Sequence, residues 1–242
     1  MKPEACCAMA ALSLFLVHCS NSGPNNDRPS AKNDTVRLSY ERFDVTLIDD
    51  NIRHDTLLIQ VTFDLGDGTY LMVASHGDES FEGLRLYRYT LLPDSNAILI
   101  AASAPAYDSW TMLPTFFHSR NDPGSYIVLA NFGERQSWGQ KVMRLDSTGF
   151  TDLGFIDAAY PERVSDGDSS WTRLGNIAPY ISIRGSVSDL DFSFSCDSLH
   201  LFDDLRGNTD ARLRADRVHY RLGKDGLALG IDGTFIVPPA PG

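Results

Sequence analysis

Cysteine is scarce in this sequence, and its placement excludes a disulfide framework. Of the four cysteines, Cys6 and Cys7 lie inside an apolar N-terminal run and Cys19 closely follows that run. Only Cys196 lies in the remainder of the chain, so no intrachain disulfide can form there. Residues 189–196 alternate between polar and apolar side chains, which predicts that Cys196 lies on the buried face of a strand as an inert thiol.

Basic residues are also few. The chain has 21 Lys and Arg against 32 Asp and Glu, a net charge of -11 at pH 7. A protein this acidic repels phosphate, which excludes nucleic acid and an anionic lipid surface as the main partner. The acidic residues are dispersed along the chain, so we predict no acidic interaction tail.

Long hydrophobic runs and helical periodicity are missing. The longest apolar run, Ala5–Val17, has thirteen residues, whereas a membrane-spanning helix needs roughly 20. The mean hydropathy of -0.18 excludes a protein with several membrane-spanning helices. A short apolar run that follows Lys2 near the start of the chain is typical of a signal peptide.

The residues at the end of this run, Leu16-Val17-His18-Cys19, resemble the lipobox of bacterial lipoproteins. The resemblance implies that residues 1–18 are a signal peptide and that Cys19 is diacylated and becomes the new N-terminus. His18 stands where the lipobox usually has a small residue. Ser20 resembles the sorting pattern of Gram-negative lipoproteins that are anchored in the outer membrane. The alternatives are an uncleaved N-terminal anchor and an ordinary secreted protein.

A polar segment follows the lipobox. Residues 19–35 are rich in Asn, Ser, Pro and Asp, a composition that cannot bury a hydrophobic core. We therefore expect a disordered tether between the lipidated Cys19 and a single domain that spans residues 36–242. As a flexible coil, this tether would reach about 20 Å.

Recognisable catalytic motifs are absent as well. The sequence contains no GxSxG, no HExxH, no phosphate-binding glycine loop and no Cys/His cluster. His76, Asp78 and Glu79 offer a base and two carboxylates, but a second copy of this segment, described next, replaces the histidine with Phe132. A surface turn explains the three residues, and we predict no catalytic residue, no metal site and no cofactor.

The feature that organises the chain is a duplication. GTYLMVASHGDESFEGLRLYRY, which begins at Gly68, returns without a gap as GSYIVLANFGERQSWGQKVMRL, which begins at Gly124. A second shared signature follows in each copy, SWTML at Ser109 and SWTRL at Ser170. The repeated units are therefore predicted to span about residues 68–117 and 124–183.

The pattern within each unit predicts four strands. The first run of each is continuously apolar, as in strands that are buried on both faces. The predicted strands are Tyr70–Ala74, Leu84–Thr90, Ala97–Ala102 and Met112–Phe117 in the first unit, and Tyr126–Ala130, Gln140–Leu145, Gly149–Ile156 and Ile177–Ile183 in the second. Before them, Phe43–Leu47 and Leu57–Phe63 alternate like the strands of a hairpin.

These elements predict an all-β fold: a small β-propeller-like array of four-stranded antiparallel repeats. A unit of about fifty to sixty residues with four strands resembles a blade of kelch-type propellers in its period. A two-sheet β-sandwich with a duplicated half is the alternative.

Candidate ligand-binding residues lie where the copies differ. The segment from Asp157 to Ser170, interpreted as an inserted loop, carries Tyr160, Asp166 and Asp168 ahead of Trp171. Asp166, Ser170 and Trp171 resemble part of the Asp-box of sialidase-type propellers, which stabilises a turn in that family. Trp110 and Trp171 are accordingly interpreted as repeat core, with a ligand surface as the alternative, and Trp138 replaces Glu82 in a turn of the second copy. The predicted binding surface thus comprises Trp138, Tyr160, Asp166, Asp168 and Trp171.

The sequence therefore favours a lipid-anchored lipoprotein of the cell envelope whose β-repeat domain binds or scaffolds without catalysis. Its expected partners are the membrane, through the lipid on Cys19, and an envelope glycan or protein. The alternative function is a hydrolase that acts on glycans of the envelope.

Overall fold

The computed structural model describes residues 38–48, 51–77, 83–105, 113–133, 136–186, 188–202 and 210–236. These residues form strands and two short 3-10 helices, Ala178–Tyr180 and Ala215–Arg217, so the predicted all-β class is confirmed. Within the described ranges, no helix has the length and apolar character required to span a membrane.

The described residues contain nineteen strands. They are β1 (Leu38–Phe43), β2 (Thr46–Leu47), β3 (Leu57–Asp64), β4 (Tyr70–His76), β5 (Arg85–Leu91), β6 (Ala97–Ala102), β7 (Leu113–Ser119), β8 (Asp122–Phe132), β9 (Gly139–Asp146), β10 (Gly149–Ile156), β11 (Ala158–Asp166), β12 (Ser169–Gly175), β13 (Ile181–Ser186), β14 (Asp189–Phe194), β15 (Ser198–Leu201), β16 (Ala211–Arg214), β17 (Val218–Gly223), β18 (Gly226–Ile231) and β19 (Thr234–Ile236).

Three antiparallel sheets are formed by these strands. One sheet has ten strands in the order β10-β9-β8-β7-β1-β13-β14-β17-β18-β19. The second has five strands in the order β2-β3-β4-β5-β6, and the third has four in the order β12-β11-β15-β16.

The predicted N-terminal hairpin exists, but it is shorter than expected. Leu47 of β2 pairs with Phe63 of β3 in the five-stranded sheet. Phe43, however, belongs to β1 and pairs with Phe116 of β7 in the ten-stranded sheet. The chain therefore changes sheets between Phe43 and Thr46, where the alternating sequence pattern suggested one continuous strand.

The duplicated segments adopt the same strand pairing. In the first copy, Leu71 of β4 pairs with Arg88 of β5. At the same positions of the second copy, Ile127 of β8 pairs with Arg144 of β9. The strand before each also corresponds, since Phe63 pairs with Leu71 and Phe117 pairs with Ile127. We therefore call β3–β6 copy one and β7–β10 copy two.

This correspondence corrects one detail of the sequence prediction. Met112–Phe117 was expected as the last strand of the first unit, beside Ala97–Ala102. Instead β7 pairs with β1 and β8 and is the first strand of copy two. Each copy is still a four-stranded antiparallel array, but it begins one strand earlier than the repeated sequence does. The predicted strand Ile177–Ile183 is accordingly wrong as a strand of the second unit, because this segment holds the 3-10 helix Ala178–Tyr180 and the start of β13, which pairs with β1 and β14.

The two copies stack through different faces. Leu71 and Val73 of copy one pack with Val128 and Ala130 of copy two in one buried cluster. The repeat aligns Leu71 of copy one with Ile127 of copy two. Ile127 lies on the face of β8 opposite to Val128 and Ala130, in the cluster shared with the C-terminal strands. The face of copy one that carries Leu71 and Val73 thus meets the face of copy two that carries Val128 and Ala130, although the repeat aligns Leu71 with Ile127. This arrangement explains the continuous apolar runs, because β4 and β8 are buried on both faces as predicted.

A polar network also connects the copies. Arg88 of copy one donates to the carboxylate of Asp67 at 2.9 Å and to the carbonyl oxygen of Asp146 in copy two at 3.2 Å. Thr69 donates its backbone N–H to Asp67 at 2.9 Å. Burial disfavours the charged carboxylate, but the hydrogen bonds from the hydroxyl and the N–H of Thr69 and the charge of Arg88 outweigh it and hold the pKa of Asp67 below its ordinary value.

Asp67→Asn is expected to reduce the free energy of unfolding by about 1–2 kcal/mol at neutral pH, because it weakens a charged hydrogen-bond network between the copies. A carboxylate with a depressed pKa stabilises the fold above its unfolded pKa of roughly 3.9 and stops doing so as pH falls through the folded value. Urea unfolding of both proteins at about pH 7 and about pH 3 measures this difference. Asp225→Asn, in an exposed turn, is the control. An equal loss at both pH values would contradict the assigned role of the Asp67 charge.

Candidate binding surface on the β11–β12 hairpin

The segment that carries most predicted site residues is a hairpin. β11 pairs with β12 from Tyr160 opposite Gly175 to Asp166 opposite Ser169. A two-residue turn, Gly167-Asp168, joins the strands, and Gly167 has φ +56, which suits the first position of a type II′ hairpin turn. The interpretation of 157–170 as an inserted loop is therefore wrong, because alternating side chains on both sides of a Gly-Asp turn are a hairpin pattern.

The hairpin brings three of the predicted residues to one face. Residues that are directly opposite each other in an antiparallel pair project to the same side. Tyr160, Asp166 and Trp171 consequently share a face, together with three intervening residues, Glu162, Val164 and Arg173. Asp168 lies in the exposed turn at the tip.

An aromatic pair occupies the base of this face. The ring of Tyr160 lies 4.4 Å from that of Tyr180, centroid to centroid, with 32° between the ring planes. Tyr180 ends the 3-10 helix before β13, and both rings pack at the edge of the main core. Desolvation, then a hydrogen bond with Tyr160 and nearby negative charge, raises the pKa of Tyr180 above its ordinary value.

A charged pair lies between the tyrosines and the tryptophan. Arg173 donates from Nη2 to Oε2 of Glu162 at 2.6 Å and from Nε to the same oxygen at 3.1 Å. Two hydrogen bonds fix the guanidinium plane on the face of the hairpin. The second carboxylate oxygen of Glu162 and the remaining N–H groups of Arg173 can bond to a ligand, since both side chains are about half exposed.

Trp171 provides an exposed aromatic surface farther along the same face. Its side chain is opposite Val164, and the residue is 49% exposed. The interpretation of Trp171 as repeat core is therefore wrong. The reason is its position near the tip of the hairpin, where residues 165–173 are all exposed and no layer of the described residues packs on the ring.

The structure separates Trp138 from this face. Trp138 is 63% exposed and stacks on Phe202, with ring centroids 6.1 Å apart. Phe202 contacts His200, which projects from one side of the four-stranded sheet. Leu201 projects from the other side and is directly opposite Ala158 of β11. Since side chains alternate along a strand, Tyr160 lies on the Leu201 side. Trp138 and Trp171 thus lie on opposite sides of the four-stranded sheet.

The turn that presents Trp138 depends on a glycine shared by both copies. Gly133, equivalent to Gly77, has φ +116 in copy two, and an added Cβ would lie 1.8 Å from the carbonyl oxygen of Gln136. Ser137 then donates its N–H to the carbonyl oxygen of Leu174 at 2.7 Å, which fixes the turn against β12.

The carboxylates at the hairpin tip are open to solvent. Asp166, Gly167, Asp168 and Ser169 are all exposed. Glycoside hydrolysis generally requires two carboxyl groups that face each other across a bound sugar, and nothing encloses the tip in this way among the described residues. Across all the residues that the structure describes, no three His, Cys, Asp or Glu side chains lie close enough together to hold a metal ion.

Sequence reasoning missed Tyr180, Arg173 and Phe202. Arg173 faces Glu162 across a hairpin, so recognition of the Gly167-Asp168 turn would have paired them. Tyr180 and Phe202 come from other strand ends, and no local pattern indicates these contacts.

Other predicted residues have varied positions. Cys196 is a free thiol whose pKa is raised by burial. It lies beyond the end of β14 and is half-buried, so the prediction that it lies on the buried face of a strand is wrong. His76 ends β4 and is also half-buried. Cys19, the signal peptide, the tether, Asp78, Glu79 and Trp110 lie outside the described residues.

Comparison of the chain with protein-family models, with curated proteins and with solved structures gave no match.

The Tyr160–Tyr180 contact predicts a delayed alkaline titration. Tyr180 should ionise above the usual pKa of about 10, and Tyr160→Phe should move it back toward that value because the hydrogen bond is lost. The tyrosinate absorbance of Tyr180→Phe, subtracted from that of the unsubstituted protein, isolates this titration. A Tyr180 midpoint that is unchanged by Tyr160→Phe would contradict the contact.

Proposed function

We propose that the protein is a lipid-anchored lipoprotein of the cell envelope that binds a glycan through the β11–β12 hairpin, without catalysis. The observation that carries the binding role is the arrangement of Tyr160, the Glu162–Arg173 pair and Trp171 on one face of a single hairpin. The anchor rests on the lipobox-like sequence at Cys19 and on the polar segment that follows it.

The chemistry of this face suits a sugar. Aromatic side chains with one exposed surface pack against the apolar faces of sugar rings, and fixed polar groups beside them bond to hydroxyls. Trp171 supplies the exposed ring, and the Glu162–Arg173 pair supplies acceptors and donors that are already oriented. A pre-oriented pair loses less side-chain entropy on binding than two free side chains would.

The anchor and the tether complete the proposal. A diacylated Cys19 would hold the protein at the membrane, and residues 20–35 would give the binding domain about 20 Å of freedom from the anchor. Ser20 favours the outer membrane as the location.

The glycan hydrolase remains the second function to be tested. It is supported by the partial Asp-box at Asp166, Ser170 and Trp171, but the open position of Asp166 and Asp168 favours a turn. Release of reducing ends, measured in the same titrations, distinguishes hydrolysis from binding.

Trp171→Ala is expected to weaken oligosaccharide binding by about tenfold or more, since loss of a central aromatic contact usually costs over 1 kcal/mol. The full chain carrying Cys19→Ala would be titrated with β-linked hexose and N-acetylhexosamine oligosaccharides by calorimetry. Trp138→Ala is a matched control, because it removes the same side chain from the opposite side of the sheet. Equal losses of affinity in both variants, or no binding of any oligosaccharide, would contradict the hairpin site. If the partner is an envelope protein instead, cross-linking from position 171 would detect it.

Cys19→Ala is expected to release the protein from the membrane fraction, because the thiol that accepts the diacylglyceryl group is gone. Cell fractionation with detection of the chain measures this release. Cys196→Ala is the matched control and should leave the protein membrane-bound. Continued membrane association of Cys19→Ala would contradict the lipid anchor.

A further inference from the structure

We propose that a cleft between the five-stranded and ten-stranded sheets is a binding site for a single hydrocarbon chain, such as the acyl chain of a fatty acid. The cleft has a volume of about 340 Å³, within the usual range of small-molecule pockets. It is separate from the β11–β12 hairpin and does not depend on the function proposed above.

The two walls of the cleft are apolar side chains from facing sheets. Leu47 and Phe63 are directly opposite each other in the five-stranded sheet. Phe43 and Phe116 are directly opposite each other in the ten-stranded sheet. Their rings and side chains, with Val61, line the space between the sheets.

The change of sheet closes one end of the cleft. The chain leaves β1 after Phe43 and enters β2 at Thr46, with only Asp44 and Val45 between them. Three Cα–Cα steps reach about 10 Å, which is the usual separation of stacked sheets. The connection therefore runs straight across the gap, and Val45 is one of the lining residues.

The cleft is open to solvent. Leu47 and Phe63 lie on the same face of the five-stranded sheet, and this face is directed toward copy two. Leu47 is nevertheless 64% exposed. Phe63 and Phe116 form the floor, with ring centroids 5.5 Å apart, and are 6% and 1% exposed. A large apolar side chain left exposed beside a buried aromatic floor is the surface that an apolar ligand would cover.

The polarity of the lining selects the class of ligand. Thr115 and the Arg42–Asp44 pair at the rim are the polar side chains among the described lining residues. A peptide would bring backbone N–H and carbonyl groups for which these side chains offer few partners, and unpaired buried groups are costly. A hydrocarbon chain has no such groups. At the rim, Arg42 lies 3.7 Å from Asp44, so the two charges largely cancel and do not select an anion.

The size of the cleft limits the length of the chain that it can cover. Burying successive methylenes adds a nearly constant increment until the cleft is full. Affinity should therefore tighten about fourfold per methylene and then become constant. An alkanol and an alkanoate of equal length should bind within about fivefold of each other, which is the range of an exposed ion pair.

The test uses the full chain with Cys19→Ala, purified without detergent, so that no acyl group of its own competes. Straight-chain alkanoates and alkanols of increasing length are titrated by calorimetry and by displacement of a dansylated undecanoate. Leu47→Asp places a charge in the cleft and is expected to weaken binding about tenfold or more. Leu92→Asp is the matched control, since Leu92 is an exposed leucine outside the cleft.

Three outcomes would overturn the proposal. The first is no saturable binding of any alkanoate or alkanol. The second is an affinity that does not depend on chain length. The third is an equal effect of Leu47→Asp and Leu92→Asp, which would place the binding elsewhere. Since Leu47 is largely exposed, its substitution leaves the core intact, and circular dichroism of each variant checks this directly.

Discussion

The fold depends on the stacking of two related sheets through faces that are not equivalent. The face of copy one that carries Leu71 and Val73 packs on the face of copy two that carries Val128 and Ala130. The opposite face of copy two, which carries Ile127 and Leu129, packs on the C-terminal strands. The central strands β4 and β8 must therefore be apolar on both sides. In a repeat built in this way each sheet depends on its neighbour for burial, so neither copy has a complete core alone.

This stacking determines how much of the fold the sequence could reveal. Apolar runs and Gly-containing turns identify β4, β5, β6, β9 and β10 to within two residues at each end, because each is governed by local alternation or burial on both faces. They identify only the centre of β8, which extends beyond the predicted Tyr126–Ala130 to Asp122–Phe132. The partner of each strand is less accessible. β7 follows β6 in sequence but belongs to the next copy, where it pairs with β8 and where its Phe116 contacts Phe43 and Phe63.

The candidate surface was predictable to a similar degree. The segment that carries Tyr160, Asp166 and Trp171 departs from the first copy, and this difference singled it out in the sequence. Local sequence could not place Trp138 on the other side of the sheet, because its contact with Phe202 joins residues that are far apart in the chain. Nor could it indicate the cleft, which exists because two sheets diverge beside a two-residue connection.

β1 has a position that bears on how the fold would respond to force. It joins the two halves of the ten-stranded sheet, with β7 on one side and β13 on the other, and it is the strand at which the chain enters the described fold. A pull applied through the N-terminal residues therefore loads the hydrogen bonds on both edges of this one strand. These bonds are perpendicular to the strand in antiparallel pairs, so a pull along its axis shears them together instead of opening them in sequence. β1 is thus the strand that bears such a load, and its removal would divide the ten-stranded sheet in two.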